Sequence, residues 1–171
     1  MRISAVEEYG LRCLLALARV GTEGQLSISD IAEAEGLSVP YASKLLAILR
    51  RAGLVTAERG RGGGFSISRD PAQITLYDVM TALGGPLIDP QHCQKYSGHA
   101  KECVHLGKCS ISDVLGGVAG YVQSFLGQTT MADLMTSEKA KSLRLNQEHI
   151  RVGQAALEEE LNQPAGRIFL E

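Results

Sequence analysis

Residues 27–68 read SISDIAEAEGLSVPYASKLLAILRRAGLVTAERGRGGGFSIS, and this stretch decides the fold. Ser27 can cap a short helix, with Asp30 three residues on as its capping-box partner. Ile31 and Ala32 give that helix an apolar face. Gly36 breaks it, because glycine enters the left-handed region at little cost. Ser38 can cap a second helix, and Pro40 falls in its first turn, where a missing N–H is harmless. Along this helix Val39, Ala42, Leu45, Leu46 and Leu49 recur at spacings of three and four, which makes one face apolar. The opposite side carries Tyr41, Ser43, Lys44, Ala47, Arg50 and Arg51, and Gly53 ends the helix. Residues 54–58 then read as a strand, 59–64 (RGRGGG) as a flexible cationic turn, and 65–68 as an alternating return strand. The pattern predicts a mainly α fold with a small β-wing, a winged helix-turn-helix.

The chemistry of such an arrangement points to duplex DNA. A helix fits the major groove, where base edges carry a distinguishable donor and acceptor code. Ser38, Tyr41, Ser43, Lys44, Arg50 and Arg51 on the second helix are candidate contacts to bases or phosphates. Arg59 and Arg61 on the wing can enter a minor groove or grip the backbone. From Tyr41 to Arg69 there are six basic residues and one acid, Glu58, in a chain whose net charge is -2. Positive charge is therefore locally concentrated, as a DNA reader requires. Helix-turn-helix shapes also serve as protein-interaction modules. Nucleotide binding is not expected, since no strand precedes RGRGGG in a pattern that opens a helix.

Outward from this stretch the chain is short. Its 171 residues suit one domain with an appended arm, and 44% apolar content is enough for a core. The first twenty residues read as a helix striped by Val6, Leu11, Leu14, Leu15, Leu17 and Ala18, with Cys13 as a small core residue. Glu7 and Glu8 interrupt any long apolar run there, so neither a signal peptide nor a membrane span is expected, and a cytoplasmic location is. Residues 21–26 read as a loop and 70–73 as a turn, and a helix capped by Thr75 stops at Gly84–Gly85. Leu76, Val79, Met80 and Leu83 are its core face. No nucleophile–base pair or carboxylate dyad is recognisable, so the chain is not expected to be an enzyme.

Residues 84–110 change character, with three of the four cysteines, three of the four histidines and no periodicity. A loop of this length calls for an organising factor. Cys93, Cys103 and Cys109, with nine and then five residues between them, make a candidate metal-binding loop. In a reducing compartment such cysteines serve as metal or redox ligands rather than disulfides. From Ser110 or Ser112 a long helix follows, striped by Ile111, Val114, Leu115, Val118, Tyr121, Val122, Phe125 and Leu126, with Gly116, Gly117 and Gly120 permitting close approach. This is a natural dimer element, because two half-sites raise a small DNA reader's affinity. The expected organisation is a DNA-binding domain over 1–85, a cysteine-bearing loop over 86–110, a dimerisation region over 111–135 and a helical extension and tail over 136–171.

These motifs together resemble a known family. DIAEAEGLSVPYASKLLAILRRAGLV, the wing RGRGGGFSIS followed by ITLYDVMTALGGPL, and the three later cysteines are similar to the winged-helix iron–sulfur transcription regulators that include IscR and NsrR. The resemblance covers roughly residues 1–135. It implies a homodimer on a two-fold symmetric operator, and an iron–sulfur cluster of 2Fe–2S or 4Fe–4S type held by Cys93, Cys103 and Cys109. The first gap is longer than the family's usual one. The His that serves IscR three residues after the third Cys is Ser112 here, so that ligand is missing. NsrR takes a carboxylate near the N-terminus, donated by the partner subunit, and Glu8 stands at that position. Glu7, His92 and His105 are the competitors for the fourth place, and Arg12 replaces the His of a further member's Glu–His pair. By the same resemblance Arg59 matches the wing residue that enters the minor groove, and Ser43 replaces a Glu of the recognition helix.

Thiolates suit zinc as well as iron–sulfur clusters, but tight cysteine pairs of the zinc kind are absent. Two further readings stand beside cluster control. One is a regulator of the same fold that senses through free thiols, zinc or an organic ligand. The other is a small iron–sulfur electron-transfer protein docking through its winged domain, against which the cationic wing argues.

Overall fold

The computed structural model describes residues 3–58, 63–86, 97, 99–105 and 107–136, and all but Thr136 of these belong to the compact unit Met1–Met135. The element order is α1 (Ala5–Val20), α2 (Ile28–Glu35), α3 (Val39–Arg51), β1 (Val55–Ala57), β2 (Phe65–Ile67), a 3-10 turn (Pro71–Gln73), α4 (Leu76–Gly84), α5 (Ser110–Gln128) and α6 (Met131–Met135). The fold is mainly helical, with one antiparallel pair of strands in the register Val55↔Ile67, Thr56↔Ser66, Ala57↔Phe65.

Local sequence explains the helix starts. Ser4, Ser27 and Thr75 each form a reciprocal capping box, with Glu7, Asp30 and Asp78 three residues on. Gly36 closes α2 in the left-handed conformation at φ 65, and Leu37 N–H then reaches back to the Ala32 carbonyl. That geometry makes the tight turn between α2 and α3.

The core lies where α1, α3 and α4 meet the strand pair. Leu14, Leu17, Ile31, Leu45, Leu46, Leu49, Leu54, Val55, Ile67, Ile74 and Val79 are buried together. Cys13 lies among them, as expected, and burial pushes its thiol up to about 11. α4 closes on α1 because Gly10 has no side chain, so Leu83 occupies the space a Cβ would need. Of the expected α4 core face, Val79 is fully buried while Leu76, Met80 and Leu83 remain partly exposed.

Three features depart from expectation. Val39 is 46% exposed, because the first turn of α3 projects beyond the core and Ala42 is its first buried residue. Ser38 occupies the N-cap position, but its side chain makes no capping bond. The loop over 21–26 ends in a bridge, with Leu26 and Phe65 exchanging N–H···O bonds of 3.0 and 2.8 Å, so the wing is clamped on its second edge.

α5 begins at Ser110 and contains no buried residue. Beyond it the chain returns: Leu76 N–H donates to the Thr129 carbonyl at 2.8 Å, Met131 N–H donates to Ile74 at 2.9 Å, and Met131 is fully buried. The base of α5 is thus tied to the core while its outer stripe stays open. Arg59 and Arg61, His92 and Cys93, and residues 137–171 lie outside the described residues.

Candidate nucleic-acid interface and thiol site

α3 presents its polar side to solvent. Ser38, Ser43, Lys44, Arg50 and Arg51 are all exposed. Lys44, Arg50 and Arg51 have no ion-pair partner among the described residues, which leaves their charge available to phosphate. Arg69 is different: it contacts Asp78 at 3.5 Å and donates to the Gln73 carbonyl. Tyr41 is half-buried rather than freely outward, since its ring meets Tyr9 of α1 edge-on at 6.1 Å. At the wing base Gln25 donates to Glu58 at 2.8 Å, which engages the segment's single acid.

A network behind α3 escaped the sequence reading. Glu35 ends α2, a position where the helix macrodipole disfavours a carboxylate. Arg12 offsets this by donating from Nε to Glu35 Oε2 at 2.8 Å and from a terminal nitrogen to the Glu35 carbonyl at 3.2 Å. The Glu35 hydrogen bond raises the Arg12 pKa, desolvation opposes it, and the nearby charges of Glu35, Tyr9 and Glu8 add lesser help. The guanidinium also lies over the Tyr9 ring, 5.3 Å from its centroid. The only sequence signal was an acid at a helix C-terminus with no basic residue in that turn.

Two of the three loop cysteines are described. Cys103 and Cys109 are half-buried free thiols. Cys109 is the N-cap of α5, and its Sγ accepts the Ser112 N–H at 3.4 Å. The two N-terminal carboxylates are placed differently. Glu7 is half-buried, accepts the Ser4 N–H at 2.7 Å, and packs so closely on Gly84 that a side chain there would collide with it. Glu8 is exposed, and its carboxylate makes no hydrogen bond or ion pair among the described residues. His105 is exposed. Among the described residues no three potential ligands converge on one point. No described helix is long and apolar enough to cross a membrane.

A helix-turn-helix with an exposed cationic second helix, followed by a clamped strand pair, defines a winged-helix transcription regulator. Comparison with known proteins makes the assignment narrower. Residues 3–137 match the family model "Rrf2: Iron-dependent Transcriptional regulator", and the chain belongs to the Rrf2 family. It is 33% identical to Protein rrf2 of Nitratidesulfovibrio vulgaris over 135 residues, covering 79% of this chain and 87% of that protein. It is 29% identical to the HTH-type transcriptional regulator IscR of Serratia proteamaculans, covering 81% of each. Among solved structures it is similar to CymR, the global cysteine regulator of B. subtilis, with TM-score 0.64, 30% identity and coverage of 78% of this chain and 95% of that one. It is also similar to T. potens IscR, with TM-score 0.62, 31% identity and coverage of 82% and 91%.

Proposed function

We propose that this regulator is a homodimer whose affinity for a two-fold symmetric DNA operator is controlled by an iron–sulfur cluster held by Cys93, Cys103, Cys109 and the partner subunit's Glu8. The observation that carries this reading is the placement of Cys109. Its sulfur accepts the Ser112 N–H at the first turn of α5, which sets one soft ligand at the junction of the loop and the helix. The donor set suits the group: soft sulfur ligands from the loop and one oxygen ligand. Glu8 is favoured over Glu7 because Glu7 is committed to the Ser4 cap and to α4, whereas Glu8 is free to reach another subunit.

When bound, the cluster would supply a centre reactive toward redox change and nitric oxide. The protein's own residues supply the rest. Cys109 fixes the start of α5, whose outer stripe of Ile111, Val114, Leu115, Val118 and Tyr121 is exposed in the single chain and suits pairing with a second copy. Gly116, Gly117 and Gly120 have open space beside them, which allows two such helices to approach closely. Ser43, Lys44, Arg50 and Arg51 present base- and phosphate-binding groups on α3, with Arg59 and Arg61 on the wing. Residues 1–85 would read DNA, 86–110 hold the cluster and 111–135 form the dimer, with 136–171 an extension.

A second reading has its own support. Cys103 and Cys109 are unpaired thiols, and the chain is similar to the oxidized form of Staphylococcus aureus CymR, with TM-score 0.61 and 27% identity. Direct thiol chemistry without metal is therefore the alternative. Anaerobic purification with absorption spectra and iron and sulfide analysis separates the two. Cluster control predicts a brown protein with near-stoichiometric sulfide, lost in Cys103→Ala and spectrally altered in Glu8→Ala. A colourless protein without sulfide overturns it in favour of the thiol reading.

A further inference from the structure

The outward face of α3 is not polar throughout. Val39 is nearly half exposed at the first helical position, although Leu37 and Tyr41, two residues to either side, pack against the core. Ala47 is exposed eight residues on, and Ser43 stands between them. A spacing of four places Val39, Ser43 and Ala47 in one ridge along the helix, which Arg51 continues at the far end. Pro40 and Lys44 form the neighbouring row. Single exposed apolar side chains are ordinary on a protein surface. Here two of them fall in the register of the N-terminal residues that meet base edges when a second helix lies in the major groove. The groups that α3 lacks narrow its chemistry further. It has no Asn or Gln, which read adenine by two hydrogen bonds, and no Asp or Glu, which accept from cytosine N4. What it exposes is methyl groups, one hydroxyl and three cations. In the major groove an apolar side chain meets the thymine C5-methyl, and a lysine reads guanine O6 and N7. Valine is stiff about χ1 and Pro40 sets the backbone of the first turn, so little freedom is lost when Val39 is buried against a base.

We propose that α3 reads its operator through thymine methyl groups packed on Val39 and Ala47, with a guanine held by Lys44. The proposal deepens the reading of α3 as the DNA-contacting helix and rests on it. Val39 is the specificity-determining residue of this arrangement, because its two methyl groups stand at the exposed N-terminal end of the ridge. Arg50 and Arg51, at the C-terminal end of α3, are left to the phosphate backbone, which sets register without reading sequence.

The test uses the full-length protein, purified anaerobically, and a duplex selected with it from a random pool. Each thymine is replaced in turn by uracil, which removes the C5-methyl and leaves every hydrogen-bonding group in place. At the thymines that α3 reads, each replacement is expected to weaken binding about fourfold, the effect of taking one methyl out of a buried contact. At the thymine that faces Val39, the replacement should lose most of its effect in Val39→Ala and keep it in Val39→Ile. Val39 is exposed, so both variants are expected to unfold at the wild-type temperature, which separates lost reading from lost structure. Lys44→Ala is expected to weaken binding about tenfold and to relax the choice of guanine in a repeated selection. Uracil effects of equal size in Val39→Ala and wild type overturn the proposal, as does a duplex in which no thymine responds or a pool that yields no preferred sequence. Lys44→Ala and Arg50→Ala tell the failures apart. If they still weaken binding, α3 remains the contacting helix and only the thymine reading falls. If neither does and no thymine responds, the reading of α3 as the DNA-contacting helix falls with it.

Discussion

In α3, Ala42, Leu45, Leu46 and Leu49 are completely buried, whereas in α5 Ile111 is 69% and Val118 56% exposed and no residue is buried at all. Both helices carry an apolar stripe at helical spacing. The difference lies in what surrounds them. α3 is enclosed by α1, α2, α4 and the strand base, while among the described residues α5 rests chiefly on α4. The lesson is that a stripe records a demand for burial, without naming the surface that meets it. In α3 the chain itself meets that demand. In α5 it is left open, and a second copy of the chain is the proposed answer.

The comparison can be broken by substitution. Leu45→Ala removes a fully buried side chain from the α3 core and is expected to cost about 3 to 4 kcal/mol, read as a shift in the urea unfolding midpoint. Val118→Arg on α5 is expected to leave the unfolding of the winged domain almost unchanged. It should convert the proposed dimer to a monomer by light scattering and weaken operator binding by about a hundredfold through lost bivalency. Should Val118→Arg unfold the chain as Leu45→Ala does, the α5 stripe belongs to a core and the contrast disappears.

Two smaller effects sharpen the buried side of the comparison. The core holds the Cys13 thiol protonated, so its contribution to stability is complete below the ordinary value of 9.0 and is lost as pH rises toward about 11. The loss is expected to be on the order of 2 kcal/mol, visible as an alkaline slope in unfolding free energy that Cys13→Ala lacks. An undiminished slope in that variant would assign the titration to other groups. Ser27→Ala deletes the cap of α2, an exposed local bond, and should cost about 1 kcal/mol by thermal unfolding, with DNA affinity changed little.

Much of the fold was legible because its signals are local. The caps at Ser27 and Thr75 depend on a residue three positions away, and the turn at Gly36 depends on one residue's freedom at positive φ. The α3 stripe from Ala42 onward follows from helical period, and the buried Cys13 from the apolar character of a free cysteine. For the candidate interface the same period placed Ser43, Lys44, Arg50 and Arg51 outward, as found, but set Tyr41 among them although Tyr9 holds its ring half-buried. Cysteine spacing singled out Cys103 and Cys109, and the sulfur of Cys109 as the cap of α5 emerged only from the structure.

The sequence by itself determined the described helical segments, the starts at Ser27 and Thr75 and most of the apolar faces, since capping and periodicity act within about one turn. It also located the positive charge and the thiols. Only the tertiary structure decided that Arg12 joins α1 to the end of α2 across 23 residues, that Glu7 packs on α4 while the Glu8 carboxylate is exposed, and that Leu26 closes the wing. Each of these depends on which two surfaces meet in space, and no short-range pattern along the chain encodes that meeting.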